Sequence, residues 1–295
     1  MIAVIFALAS SLAFGISDFY GGLATRKIGA VATTLASYTT GSLIIALGLL
    51  LIPGEWSVSA VLFGALAGVS IALGFLAFYA SIARGPIAIL APLIAVLYAT
   101  VPVAWAIARG EQLPVIGWVG VAVGVLAVLA LSIPPKGGAE SDEERREDER
   151  AGRRTGPTPI AVVLGILASL GLGGATIALD YVPEQSGVTS ALIESVVAVL
   201  VAAIAWAFTR RPRIGRPEAR ALGTAAWSGL LLGAGNAVFV LALQAGSLAL
   251  VSVLVGLYPL STILLARFVL KEHLSRVQWS GVVLALAAAV LLGLG

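Results

Sequence analysis

GVTSALIESVVAVLVAAIAW, residues 187–206, has the length of one membrane crossing and contains a single ionisable side chain, Glu194. A hydrocarbon core about 30 Å thick takes about 20 helical residues at 1.5 Å each. A charge held at that depth costs roughly 3 kcal/mol, so it usually meets protein or water and usually has a task. The stretch therefore predicts a transmembrane helix, and Glu194 is its first functional candidate.

The rest of the chain is built the same way. Of 295 residues, 59% are hydrophobic and only 11% charged, against about 25% charged in a soluble domain. Mean hydropathy is +1.04. Apolar runs bounded by Gly, Pro and charge fall at 2–23, 29–52, 58–82, 86–108, 114–133, 159–180, 187–209, 220–243, 247–269 and 277–294. The amino-terminal run lacks the charged leader of a signal peptide and reads as the first span. Little is left over for a soluble domain. The fold class is thus an all-α integral membrane protein with ten transmembrane helices.

These spans form two halves of five, residues 1–133 and 159–295, joined by a charged linker at 134–158 whose Pro and Gly residues suit a solvated tether. A shift of 161 positions lays Gly85 on Gly246, Ala88 on Ala249, Leu93 on Leu254, Glu111 on Glu272, Trp118 on Trp279 and Gly120 on Gly281. A slightly different shift pairs Gly64 and Gly68 with Gly229 and Gly233, both small-xxx-small faces suited to close helix packing. Five is odd, so the second copy crosses the membrane in the opposite sense, an inverted repeat of the kind used for alternating access. All but one of the 18 Lys and Arg residues, Arg109 being the exception, lie in the linker or at the ends of odd-numbered spans. The positive-inside rule then places those loops and the linker in the cytoplasm and both termini outside.

Absent residue types narrow the chemistry. With no cysteine in the chain, disulfides, thiolate metal sites and cysteine nucleophiles are excluded. The one histidine, His273, falls in a loop beside Glu272. Nowhere do intramembrane acids, His or Ser converge as a membrane-embedded enzyme requires. Rings of charge or filter loops, the marks of a channel, are missing too. No cofactor or metal is expected. The expected partners are a small-molecule substrate, membrane lipids and, if a carboxylate titrates, protons; the basic loops suit anionic headgroups rather than nucleic acid.

Polar side chains inside spans are the candidates for a substrate cavity or for coupling. For Glu194 three readings stand: a proton-coupling carboxylate or counter-ion to a cationic substrate, a neutral carboxyl hydrogen-bonded across helices, or a boundary residue reaching the outer surface. Asp18 faces a cavity, pairs with interfacial cations such as Arg26 and Lys27, or caps an adjacent helix. Asn236, Gln244, Ser37 and Tyr79 bring hydrogen-bonding groups that must find partners in hydrocarbon. Tyr98 and Tyr258 offer aromatic walls. Pro92, Pro102 and Pro259 interrupt backbone hydrogen bonding within spans and are candidates for kinks or gates.

Two matching stretches, YATVP…RGEQLP…WVG (Tyr98 to Gly120) and YPLST…KEHLS…QWSG (Tyr258 to Gly281), resemble the EamA-type repeat of the drug/metabolite transporter superfamily. The resemblance implies a ten-helix exporter or exchanger of amino acids, other small metabolites or drugs. It also implies a central cavity between two four-helix bundles, with the fifth helix of each half outside them. Two features depart from the usual pattern. Many members keep both termini in the cytoplasm, and many carry Trp-Gly-x-Asn where this first span reads FGISDF (Phe14 to Phe19), which puts Ser17 at the Asn position and adds Asp18.

Overall fold

The computed structural model describes residues 1–82, 84, 87–133, 158–208, 219–269 and 275–294. Most of the linker, and Gly85, Glu272 and His273, lie outside the described residues. Among those described the chain is helical: α1 (Ile2–Ile28), α2 (Ala30–Gly48), α3 (Val58–Ile82), α4 (Ile87–Ala108), α5 (Val115–Ser132), α6 (Pro159–Asp180), a 3-10 turn (Glu184–Ser186), α7 (Thr189–Phe208), α8 (Ala219–Ala245), α9 (Leu248–Gly256), α10 (Pro259–Val269) and α11 (Arg276–Leu294). Six of them, α1, α2, α3, α6, α7 and α8, hold a stretch long and apolar enough to cross a membrane, and α4, α5, α9–α10 and α11 hold shorter apolar runs. The protein is a multi-pass integral membrane protein.

Each predicted span has its helix; the second ends early, at Gly48, and two further departures have a local chemical explanation. The first span runs on past residue 23 to Ile28, because Arg26 and Lys27 are good helix formers. Gly29 alone turns the chain into α2, at φ 80, a left-handed conformation that glycine adopts freely. The ninth span is broken at Leu257 and Tyr258, and Pro259 opens α10, where its missing N–H costs nothing. α4, in contrast, continues through both Pro92 and Pro102.

Close packing divides the chain into two compact units, and neither is a sequence half. Unit 1 comprises Met1–Ala72 and Ala175–Gly246, and unit 2 comprises Leu73–Gly174 and Ser247–Gly295. The helices α3 and α6 therefore each run from one unit into the other.

In unit 1, α1 packs along α8, and α2 against α7 and α8. Lipid offers no hydrophobic drive to bring helices together, so backbone proximity and polar contacts have to do it. Gly229 and Gly233 of α8 lie on the backbone of Ser37 and Gly41 in α2, where a Cβ would overlap their carbonyls. On the other side of the unit a Cβ at Gly64 or Gly68 of α3 would come within 2.9 Å of the Ser190 carbonyl oxygen or 2.6 Å of that of Glu194. Both predicted small-xxx-small faces are thus packing faces. Hydroxyls stitch the same helices: Ser10 donates to the Gly235 carbonyl at 2.9 Å, and Ser17 and Ser228 each donate to the other's carbonyl at 2.9 Å.

In unit 2, α11 packs along α5, and α9 against α4 and α5. Ser81 donates to the Ala161 carbonyl at 2.8 Å and Ser169 to that of Ile94 at 3.2 Å, joining α6 to α3 and α4. The amino terminus of α9 is capped twice: Ser247 Oγ accepts from the Leu250 N–H at 3.3 Å, and Glu111 Oε1 from the Ala249 N–H at 3.1 Å. Glu111 belongs to the α4–α5 turn of the first half, so a residue of the first half closes a helix of the second.

Candidate functional site

Glu194 is 2% exposed on α7, and its Oε2 accepts a hydrogen bond of 2.8 Å from Nδ2 of Asn236 on α8. The helix dictates this placement. Val196, Leu200 and Ile204 form the exposed apolar stripe of α7, and at 100° per residue Glu194 lies roughly 120° round from its centre. There it is enclosed by α8, which carries Asn236, and by α3, whose Gly68 lies against the backbone of Glu194 itself. Of the three sequence readings, the boundary residue is excluded by this burial. A carboxyl bonded across helices is what the geometry contains.

The other candidates of unit 1 are mostly committed to neighbours. Ser37 is buried and donates to the Ala225 carbonyl at 2.9 Å, holding α2 to α8. Gln244 Nε2 donates to the Gly187 carbonyl at 2.9 Å, tying the end of α8 to the turn before α7, where Gly187 sits at φ 51. The same turn takes up the α2–α3 loop, the Glu55 N–H donating to the Gln185 carbonyl at 2.8 Å. Asp18 is different. Its side chain is exposed, and among the described residues it has no hydrogen bond and no ion pair.

In unit 2, Tyr98 on α4 and Tyr258 at the α9–α10 break are half-buried and meet edge to face, with ring centroids 6.4 Å apart and an interplanar angle of 69°. Their proximity brings α4 to the break immediately before Pro259. Tyr79 lies on α3 in the same unit, its side chain outside the described residues.

Sequence reasoning missed several polar groups. Ser10 and Ser228 are ordinary small residues in a membrane helix until their partners are known, and Ser17 stood out only by its place in the FGISDF motif. The hydroxyls of Thr189 and Ser190, at the start of α7, and of Ser252 on α9 are buried without a hydrogen-bond partner among the described residues. No spacing rule marks them, because the pairings that would matter join positions some 200 residues apart, as for Ser17 with Ser228.

A stretch that includes both Glu194 and Asn236 is also the stretch that resembles a known family. Residues 159–294 match the EamA-like transporter family. The matched region contains the second of the two repeat motifs, Tyr258 to Gly281, so the resemblance read from that motif holds over the second half of the chain. That family is one of membrane transporters. A solved structure described as "Crystal structure of protein" is 18% identical, with a TM-score of 0.70 over 97% of this chain and 96% of its own. At that identity the likeness shows a shared fold, and it extends over the first half as well as the EamA-like second half. No curated protein matches the sequence.

Proposed function

We infer that this chain is a secondary active transporter that moves small metabolites, amino acids or drugs across the cytoplasmic membrane by alternating access, in the direction of export. The transporter-family match, in a chain made of apolar helices, is the observation that carries the reading. Two five-helix repeats of opposite orientation, with the linker in the cytoplasm, supply the two-fold design that alternating access uses. The bodies that move are units 1 and 2, and α3 and α6, which belong to both, flex where they pass from one to the other.

Flux into proteoliposomes over a panel of amino acids, small metabolites and lipophilic cations, with and without an imposed pH gradient, tests this directly. Saturable, trans-stimulated flux of one class is expected, and its absence across the panel overturns the reading. Proton coupling through Glu194 is favoured by one observation: a carboxyl enclosed at membrane depth with a single amide donor is shut off from water in this conformation, so that exchange of its proton requires unit 1 to open. Glu194→Gln should then abolish the response to the pH gradient. Flux that is unchanged in this variant and indifferent to the gradient means a facilitator or exchanger instead, with Glu194 a packing residue.

A further inference from the structure

At the end of unit 1 where α2 and α8 finish and α7 begins, the α2–α3 loop lies over the turn that leads into α7. A Cβ at Gly54 would overlap the Ser186 carbonyl and come within 2.7 Å of Thr189 Oγ1. Hydrogen bonding between loop and turn is sparse: the Glu55 N–H donates to the Gln185 carbonyl at 2.8 Å, and the Ser57 and Ser186 hydroxyls stand 3.5 Å apart. Gly54 apart, residues 50–56 are all exposed, so apolar burial does not hold the loop down. The turn beneath is fixed to α8 by Gln244, whose amide donates to the Gly187 carbonyl at 2.9 Å. Of the two, the loop is the part built to lift.

Under the loop, the first turn of α7 holds the hydroxyls of Thr189 and Ser190, fully buried and without a partner among the described residues. Hydroxyls so placed forgo the bonds they make to water, and a native fold rarely leaves them so without a reason. Ser190 precedes Glu194 by one helical turn on the same face, which sets the two Cβ atoms about 5–6 Å apart. One water bonded to both side chains, at about 2.8 Å each, covers a gap of that size. Glu194 has an oxygen to offer it: Oε2 accepts from Asn236, whereas Oε1 has no hydrogen bond among the described residues. Thr189, about 140° round from Glu194, lies instead against Gly54 of the loop. The polar groups therefore run in order from the loop through Thr189 and Ser190 to Glu194. The helices packed on α7 bring no competing charge to this depth. Tyr38 is the ionisable group of α2, the part of α3 in unit 1 has none, and Arg220 of α8 is at the opposite end of its helix. Asp180 at the end of α6, with the exposed Glu55 and Glu184, puts negative charge at the mouth, which raises the local concentration of hydronium.

We propose that the hydroxyls of Thr189 and Ser190 bind the water through which Glu194 exchanges its proton, and that the loop at residues 53–57 is the gate above them. While the loop is seated the hydroxyls stay unpaired. When it lifts, water enters and pairs them, so hydration and opening favour each other. On the orientation inferred above, this entry faces the outside. The proposal rests on the proton-coupled transporter reading and adds to it the side from which the proton comes.

The absence of native cysteine permits a test that needs no known substrate. Glu55 and Gln185 are both exposed, so Glu55→Cys combined with Gln185→Cys can be joined by a short bifunctional methanethiosulfonate and released by a reductant. One folded sample then gives both states of the loop. In proteoliposomes transferred to heavy water, the infrared carboxyl C=O stretch that disappears in Glu194→Gln reports hydrogen–deuterium exchange at Glu194. Cross-linking should stop that exchange and reduction should restore it. Ser190→Ala, with the loop unlinked, should slow it about tenfold, the size expected for one lost hydrogen bond. Exchange at the parent rate in the cross-linked protein overturns the gate, and exchange at the parent rate in Ser190→Ala overturns the water site; a carboxyl band that does not depend on Glu194 overturns both. If exchange depends on the loop and on Ser190 but no solute is transported, the transporter reading fails and the proton entry stands; saturable, pH-driven flux with exchange indifferent to both is the reverse.

Discussion

Glu194 and Asn236 show how a lone carboxyl is accommodated between apolar helices. The bond between them, at 2.8 Å, joins α7 to α8, and in a membrane such interhelical bonds contribute about 0.6 kcal/mol on average and up to about 1.7. Glu194→Gln keeps an oxygen to accept from Asn236 and removes only the ionisable proton. Its melting temperature in detergent should match the parent, the stability change staying within about 0.5 kcal/mol. Asn236→Ala leaves the carboxyl buried without its donor and should lower stability by about 1–2 kcal/mol, read as an earlier thermal transition. If the Gln variant melts as early as the Ala variant, the charge itself, and not the hydrogen bond, is what the site requires. Both residues were legible as candidates in the sequence, since polar side chains in apolar runs stand out. That they are partners was not, because 42 positions separate them and only the crossing of α7 and α8 brings them together.

At the level of helices, glycine decides how near two backbones come. Gly229→Val should push α8 off α2, since a Cβ already overlaps the Ser37 carbonyl, and cost about 1–3 kcal/mol or prevent insertion of a stable protein. Gly174 on α6 is the opposite case. A Cβ there meets nothing within 4 Å, and the helix passes between units at this residue. Gly174→Ala should therefore raise thermal stability, by up to about 1 kcal/mol from helix propensity. It should also slow turnover, because the stiffened helix resists flexing; a flux unchanged from the parent removes α6 from the moving parts. The helices themselves were readable from hydropathy, almost to the residue in α3 and α6. The break of the ninth span was readable only as a proline. Pro92 and Pro102 present the same local signal inside α4, which stays continuous, so whether a proline breaks a helix is settled by what packs around it.

Across the whole molecule, the proposed inverted repeat and the basic loops make a topological prediction. A Ser141→Cys variant, in the linker, should resist an impermeant maleimide added to intact cells and react after permeabilisation; labelling from outside would reverse the proposed orientation of every helix. The chain's membrane character, its helices and its EamA-type motifs were determined by the sequence alone, because each depends on local composition: an apolar run long enough to span must satisfy its own backbone, and in lipid that means a helix. Which helices associate was decided by the tertiary structure. The first half packs mainly against the second: α1 and α2 pair with α8, α5 with α11, and the cap of α9 comes from the α4–α5 turn. Every apolar face satisfies lipid equally well, so hydropathy cannot choose between partners. The choice falls to glycine faces, hydroxyl–carbonyl bonds and one carboxyl–amide pair, whose members lie far apart in the chain and acquire meaning only once their backbones touch.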